Sequence, residues 1–203
     1  GANVFNPALV GRAFLQASFP AQMTDWKTAV AKVDAVSQAT PLGLVKFGDP
    51  SQFVGDIATQ KLLLGNVGGC IGETSALAIV IGGAILLSTR VAHWHITVSM
   101  LLGGAVFGGL FQLLGVDGAP SPLFHLLAGG YLFGAVFMAT DYVTSPTTPK
   151  GMWIFGLGIA FLTILIRQFG GLPEGVMYSI LLMNAAVPLI NRYTRPRIYG
   201  AKR

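Results

Sequence analysis

Apolar residues in this chain gather into long blocks, separated by short stretches rich in Gly, Pro, Ser and Thr. Runs at 94–114, 122–140, 152–169 and 174–190 match, or nearly match, the roughly 20 residues that a helix needs to cross a hydrocarbon core, with a range of about 17 to 25. A fifth run at 74–89, TSALAIVIGGAILLST, is shorter but uncharged, and a neighbouring helix or local thinning accommodates such a segment. The connections GVDGAPS and DYVTSPTTPKG are short and turn-rich, so consecutive helices run antiparallel in one bundle. The pattern predicts an all-α fold, a polytopic membrane helical bundle with about five transmembrane helices. Gly104 and Gly108 lie four apart within one run, a small-xxx-small spacing that serves close helix packing.

Two segments precede the five runs. FVGDIATQKLLLGNVGGCIGE holds an apolar piece interrupted by Gly65, Gly68, Gly69 and Gly72, too short to cross alone. Irregular backbone at membrane depth survives only where protein or a cavity satisfies its polar groups, so the segment reads as a re-entrant half-helix, with a flat surface loop as the alternative. The opening GANVFNPALVGRAFLQASF reads as the last turns of another membrane helix, with Asn6 and Pro7 as a cap or break. Because the first residue is Gly1 and no leader pattern follows, the chain is read as a fragment or processed product. The predicted organisation is a single membrane domain over 1–203. Residues 1–18 end a membrane helix, 19–73 form an outside loop, 74–191 hold the five helices, and 192–203 form a basic tail.

Composition agrees with lipid as the solvent: 53% of residues are hydrophobic and 10% charged, against about a quarter charged in ordinary soluble domains. The net charge of +5 is concentrated in Arg192, Arg195, Arg197, Lys202 and Arg203, directly after an apolar run. The positive-inside rule explains that placement and makes a nucleic-acid partner unnecessary. With the tail in the cytoplasm, parity places 141–150 and the turn holding Arg90, His93 and His95 on the same side. Residues 115–121, 167–173 and the 19–73 stretch then lie outside, with Arg167 a mild exception to the charge rule. The single Cys70 excludes an intrachain disulfide and a four-cysteine metal site.

Polar residues at the span edges supply the remaining candidates. Glu73 and Glu174 sit where a carboxylate caps a helix N-terminus, and Asp141 is a candidate for an ion path because acids near membrane depth are costly. His93 and His95, two residues apart on a helix, point away from each other and suit an interfacial belt, not a metal pair. His125 reads as a hydrogen-bonded interface residue. No heme, P-loop or dinucleotide fingerprint occurs.

The sharpest local signal is DAVSQATP at 34–41. Pro41 disfavours helix at Thr40, leaving its hydroxyl on extended backbone among small neighbours, open to a modifying enzyme. The run resembles the flavinylation signal Asp-Gly-x-Ser/Thr-Gly/Ala-Ala-Thr, whose last threonine a flavin transferase esterifies with the phosphate of FMN. Asp34, Ser37, Ala39 and Thr40 match, whereas Ala35 and Gln38 depart from the usual small residues.

FNPA at 5–8, GNVGGCIGETSALAIVIGG at 65–83, FMATDYVTSPTTPKG at 137–151, LPEGVMYSILLMNAAVPLI at 172–190 and YTRPRIYG at 193–200 follow in order. This order resembles the family formed by the D subunit of the Rnf complex and the B subunit of the sodium-pumping NADH:quinone reductase, over essentially the whole chain. The RPRIYG ending looks like the Rnf member.

The resemblance implies half of an inverted-repeat, urea-transporter-like fold, with an N-terminal portion expected beyond this chain. It also implies a membrane electron-transfer subunit of a ferredoxin/NAD oxidoreductase complex that moves Na+ or H+. FMN would be covalent at Thr40, with room for a second, non-covalent flavin such as riboflavin. The implied setting is the bacterial cytoplasmic (inner) membrane, with Thr40 on the outer, periplasmic side and the C-terminus in the cytoplasm. Partners would be the other membrane and peripheral subunits, the lipid bilayer and the flavin transferase. Ser37, Asn6, Gly72, Glu73, Thr74 and Ser75 are the candidate pocket residues, and helix capping is the competing role for 72–75. The rival functions are a passive small-solute channel of related fold and a structural subunit with Thr40 unmodified.

Overall fold

The structure is a computed structural model that describes residues 3–24, 40–48, 56–65, 67–70, 74–116 and 120–196. Among the described residues the regular elements are helical. They are α1 (Pro7–Ser18), α2 (Pro20–Met23), α3 (Pro41–Phe47), α4 (Asp56–Leu64), α5 (Ala76–Ser88), α6 (Trp94–Leu113), α7 (Pro122–Leu127), α8 (Tyr131–Phe133), α9 (Pro149–Phe169) and α10 (Val176–Thr194). A π-helical turn, Gly134–Met138, continues α8.

Short polar caps decide where these helices begin. Asn6, Thr40, Ser75, Ser121 and Thr148 each precede a helix and accept a backbone N–H with the side chain. Behind Asn6, Thr40, Ser121 and Thr148 the next residue is proline, whose fixed φ suits the first helical position and whose missing N–H costs nothing there. The opening segment is thus a helix from Pro7 to Ser18 with Asn6 as its cap, because the Asn6 side chain accepts from the amides of Ala8 and Leu9.

Contacts between glycines and their neighbours fix the direction of each helix. A Cβ on Gly103 would meet Ala160, and one on Gly156 would meet Ser99, so α6 and α9 run parallel. Gly104 faces Tyr131 and Gly108 faces His125, which sets α7 and α8 antiparallel to α6 and gives the Gly104–Gly108 spacing its packing role. Gly151 faces Ile190 and Gly158 faces Met183, so α10 returns antiparallel to α9. Among the described residues, α5 packs against the π-helical turn, while α6, the α7–α8 segment, α9 and α10 follow one another in alternating directions.

The starts of α5 and α10 and the end of α9 share one end of the bundle with α3. The turn at Arg90–His93 and the loop at 141–148 share the other, where His93 stacks on Tyr142 at 6.2 Å between ring centroids.

Two helices, α6 and α9, are long and apolar enough to cross a membrane, and α5 is a shorter apolar helix. Their outward side chains include Ile81, Ile85, Leu102, Val106, Leu113 and Phe161, all exposed. A surface of that kind on parallel and antiparallel neighbours calls for a non-aqueous surround or further protein.

The run at 122–140 departs from the continuous span predicted for it. Helix α7 stops at Leu127, Gly129 takes φ +65°, and the chain resumes as α8 and the π-helical turn. Side chains distant in sequence, Arg167 and Glu174, satisfy the groups freed by this break.

Candidate functional site

Thr40 sits at the N-cap of α3 with extended backbone, φ −64° and ψ 154°, as the following proline requires. Its Oγ1 accepts the Gly43 amide at 3.1 Å, and the residue is half-buried. Beside it a narrow cleft is lined by Thr40, Pro41, Leu62, Gly68, Thr74 and Gly129, among others. The structure therefore brings Thr40 and Thr74 to one cleft although 33 residues between them separate the two in sequence. Helix α4 and the glycine segment form its far wall. Gly65, at φ +89°, turns the chain so tightly that a Cβ there would lie 3.0 Å from the Ser75 side chain.

Ser75 caps α5, accepting the Ala78 amide at 3.3 Å, while its hydroxyl donates to the Leu63 carbonyl at 3.2 Å. It joins the end of α4 to the start of α5, a structural use of the residue. Asn6 caps α1 and is not among the residues lining this cleft. Ser37, Gly72 and Glu73 lie outside the described residues. Asp141 is at the opposite end of α9, a helix of 21 residues and hence about 30 Å long. There its carboxylate accepts the Thr144 hydroxyl at 2.7 Å.

Beyond α3 a second cavity of about 130 Å³ is lined by Leu42, Val45, Lys46, His125, Arg167 and Gln168, with Pro120 and Pro173 at its edge. Lys46 Nζ donates to the carbonyls of Ile166, Arg167 and Leu172 at 3.3, 2.8 and 3.0 Å, so a cation closes the C-terminus of α9. Burial lowers the pKa of Lys46 from the ordinary lysine value. Arg167, only 5% exposed, donates from Nη1 to the His125 carbonyl at 2.6 Å and from Nη2 to the Ala128 carbonyl at 3.0 Å. These are carbonyls that α7 leaves free where it stops. The mild exception to the charge rule is in fact the side chain that satisfies the break.

His125 corrects its sequence reading. It is 1% exposed, its ring packs toward Gly108 of α6, and neither ring nitrogen has a hydrogen-bond partner among the described residues, while Arg167 takes its main-chain carbonyl. Glu174 is likewise no cap for α10, which starts at Val176 with Gly175 as its N-cap and no side-chain cap. Its Oε1 accepts the Gly130 amide at 2.7 Å, and Oε2 pairs with Arg12 of α1 at 3.4 Å. Arg12 also donates to Cys70 Sγ at 3.2 Å. Sequence reasoning missed Arg12, Lys46 and Gly129. The one available signal was cationic, a lysine and an arginine beside apolar runs, where a charge without a purpose is costly.

The two cavities adjoin. A Cβ on Gly129, which lines the Thr40 cleft, would clash with Leu42 Cδ1 and lie 3.4 Å from Arg167 Nη2, and both of those residues line the second cavity. Leu42 anchors the partition by packing with Leu62, Val67, Phe124 and Ala128.

Comparison with known proteins bears on this arrangement directly. A sequence model described as the NQR2, RnfD, RnfE family matches residues 1–200. The D subunit of the proton-translocating ferredoxin:NAD(+) oxidoreductase complex of Clostridium ljungdahlii is 47% identical, over 100% of this chain and 63% of that protein. The D subunit of the Na(+)-translocating ferredoxin:NAD(+) oxidoreductase complex of Acetobacterium woodii is 46% identical, over 98% of this chain and 60% of its own length. The D subunit of the ion-translocating oxidoreductase complex of Actinobacillus succinogenes is 39% identical, over 98% and 66% respectively. The chain spans about three-fifths to two-thirds of the length of these relatives. A match over nearly every residue, at identities of 39 to 47%, settles kinship: the chain belongs to the NQR2, RnfD, RnfE family.

Proposed function

We propose that this chain is the flavin-bearing part of a membrane electron-transfer subunit in an ion-translocating ferredoxin:NAD oxidoreductase complex, with FMN esterified through its phosphate to Thr40. The observation that carries the reading is the setting of Thr40. The hydroxyl that ends the flavinylation-like run stands on extended backbone at a cleft walled by glycine and threonine. Such a site admits a modifying enzyme before the cofactor settles.

The residues present fit a flavin on a specific ground. A flavin has an apolar ring system with one hydrogen-bonding edge, and around Thr40 the structure offers aliphatic walls at Leu42, Leu62 and Val67 together with the polar side chains of Thr74 and Lys46. When bound, the flavin supplies one- and two-electron chemistry. The chain's own part is to tether it at Thr40, hold it between aliphatic walls, keep water from the ring and set the charge around it.

The same reading puts the protein in the bacterial inner membrane, with the end carrying Thr40 outside and the basic tail in the cytoplasm. The alternating course of the helices supports it, because Thr40 and Arg192 stand at opposite ends of the bundle. Partners are the remaining membrane and peripheral subunits and the transferase that attaches FMN. Relatives at 47% and 46% identity carry names with different coupling ions, so the proposal is of the reaction class and not of the ion. Asp141 is the residue proposed for the ion path at the far end. There its carboxylate is half-buried and engaged by Thr144.

The test is flavin fluorescence of the denatured protein in a gel after co-expression with a flavin transferase. The unsubstituted chain is expected to fluoresce and Thr40→Ala to be dark. Fluorescence retained in Thr40→Ala would move the attachment to another residue, and a dark unsubstituted chain would leave a structural subunit as the reading.

A further inference from the structure

The buried hydroxyls of the long helices each find a carbonyl. Thr97 donates to Ala135, Ser99 to Ile96, Thr163 to Ile159 and Ser179 to Gly175. Asn184, midway along α10, does not follow them. It is 0% exposed, and neither atom of its side-chain amide has a partner among the described residues. An asparagine amide can make about four hydrogen bonds, and an enclosed one that makes none weighs against the folded state. A leucine would fill much the same space without that penalty.

The backbone at the same place is incomplete as well. Pro188 lies inside α10, four residues on, and has no N–H for the Asn184 carbonyl that a regular helix would engage. A proline ring also crowds the carbonyl four residues before it, which is a usual cause of bending in a helix. The wall opposite is irregular too. Ile180, one turn before Asn184 on the same face, lies 3.8 Å from where a Cβ on Gly134 would stand, at the start of the π-helical turn. That turn has hydroxyls on its own carbonyls, Thr97 on Ala135 and Thr140 on Val136. The unmet groups are therefore those of α10.

We propose that the 184–188 turn of α10 is a hinge with two states: the closed one described above, and an opened one in which water reaches the Asn184 amide between α10 and the π-helical turn. In the closed state α10 keeps its packing on α9, where Gly158 faces Met183, and the amide stays unmet. Opening gives up part of that packing while water meets the amide and the freed carbonyl. The two effects oppose each other, which keeps the states close in free energy. Asn184 stands between the Thr40 end and the Asp141 end, so the hinge controls wetting of the apolar stretch that separates them. The proposal does not rest on the flavin attachment.

The test is hydrogen–deuterium exchange of the full-length protein in lipid nanodiscs, unsubstituted and with Pro188→Ala or Asn184→Leu. Pro188→Ala returns the backbone bond at Asn184, and Asn184→Leu removes the group that draws water in. Each should slow exchange of the amides at 185–192 about tenfold while leaving those at 177–182 unchanged. Equal exchange in all three proteins would overturn the hinge. Slowing in only one variant would overturn it as well, because a hinge that wets Asn184 needs both residues. Should a variant fail to fold, Asn184→Cys in a Cys70→Ser background decides, Cys70 being the one native cysteine. A water-soluble thiol reagent should then label position 184 about tenfold faster than Ile180→Cys, an equally buried position, since labelling needs a hydrated thiolate. Equal labelling at the two positions would overturn the proposal.

Discussion

Two requirements coincide at Gly129. Its φ of +65° is a left-handed conformation, and the space where a Cβ would stand is taken by Leu42 of α3. Gly129→Ala therefore meets a conformational cost of about 1–2 kcal/mol and a displacement of Leu42 of about 1–3 kcal/mol. Gly115 has nearly the same φ, +67°, with nothing among the described residues within 4 Å of its would-be Cβ, so Gly115→Ala should show only the first cost. Thermal unfolding of the two variants in detergent separates the contributions, and equal losses would show that Leu42 yields freely. Thr40 is a different kind of residue. Its position on extended backbone before Pro41 could be read from two adjacent letters, whereas the cleft beside it could not, because Thr74 and Gly129 reach it from other elements.

At the scale of elements, the broken segment formed by α7, α8 and the π-helical turn shows where sequence reading stops. Hydrophobic runs marked α6 and α9 to within a few residues, and α10 and α5 with shifted ends, because a continuous apolar block is a local property. The interruption at 128–130 sits inside such a block as Ala-Gly-Gly and looks like packing glycines. It exists because Arg167, 39 residues beyond Ala128, closes α7, and Glu174, 44 residues beyond Gly130, receives the first free amide of the resumed helix. Cation at a helix C-terminus and anion at an N-terminus is the arrangement that the helix dipoles favour.

Glu174→Ala should consequently cost more than Arg12→Ala. It removes a charge-assisted hydrogen bond to Gly130 worth about 1.5–3 kcal/mol, while the Arg12 pair, with both side chains about a quarter exposed, contributes about 0.2–1 kcal/mol. Denaturation of both single variants and the double variant reads the order. A larger loss in Arg12→Ala would mean that its contact with Cys70 outweighs the one at the break.

For the whole molecule, the alternating helices divide the polar chemistry between two ends. One end gathers Thr40, Lys46, His125, Arg167 and Glu174. The other gathers His93, Tyr142, Asp141 and Arg192. What joined Thr40 to Lys46 and His125 was tertiary packing of α3 against the end of α9, for which the sequence holds no periodic signal. The chain's relatives in the family are named as subunits of ferredoxin:NAD(+) oxidoreductase complexes, and the proposed function stands on a covalent flavin at Thr40. Mass analysis of the tryptic peptide spanning residues 33–46, from protein co-expressed with a flavin transferase, tests that most directly. The predicted result is a peptide heavier by FMN less one water, with fragmentation assigning the addition to Thr40. An unmodified peptide, or an addition on Ser37, would contradict it.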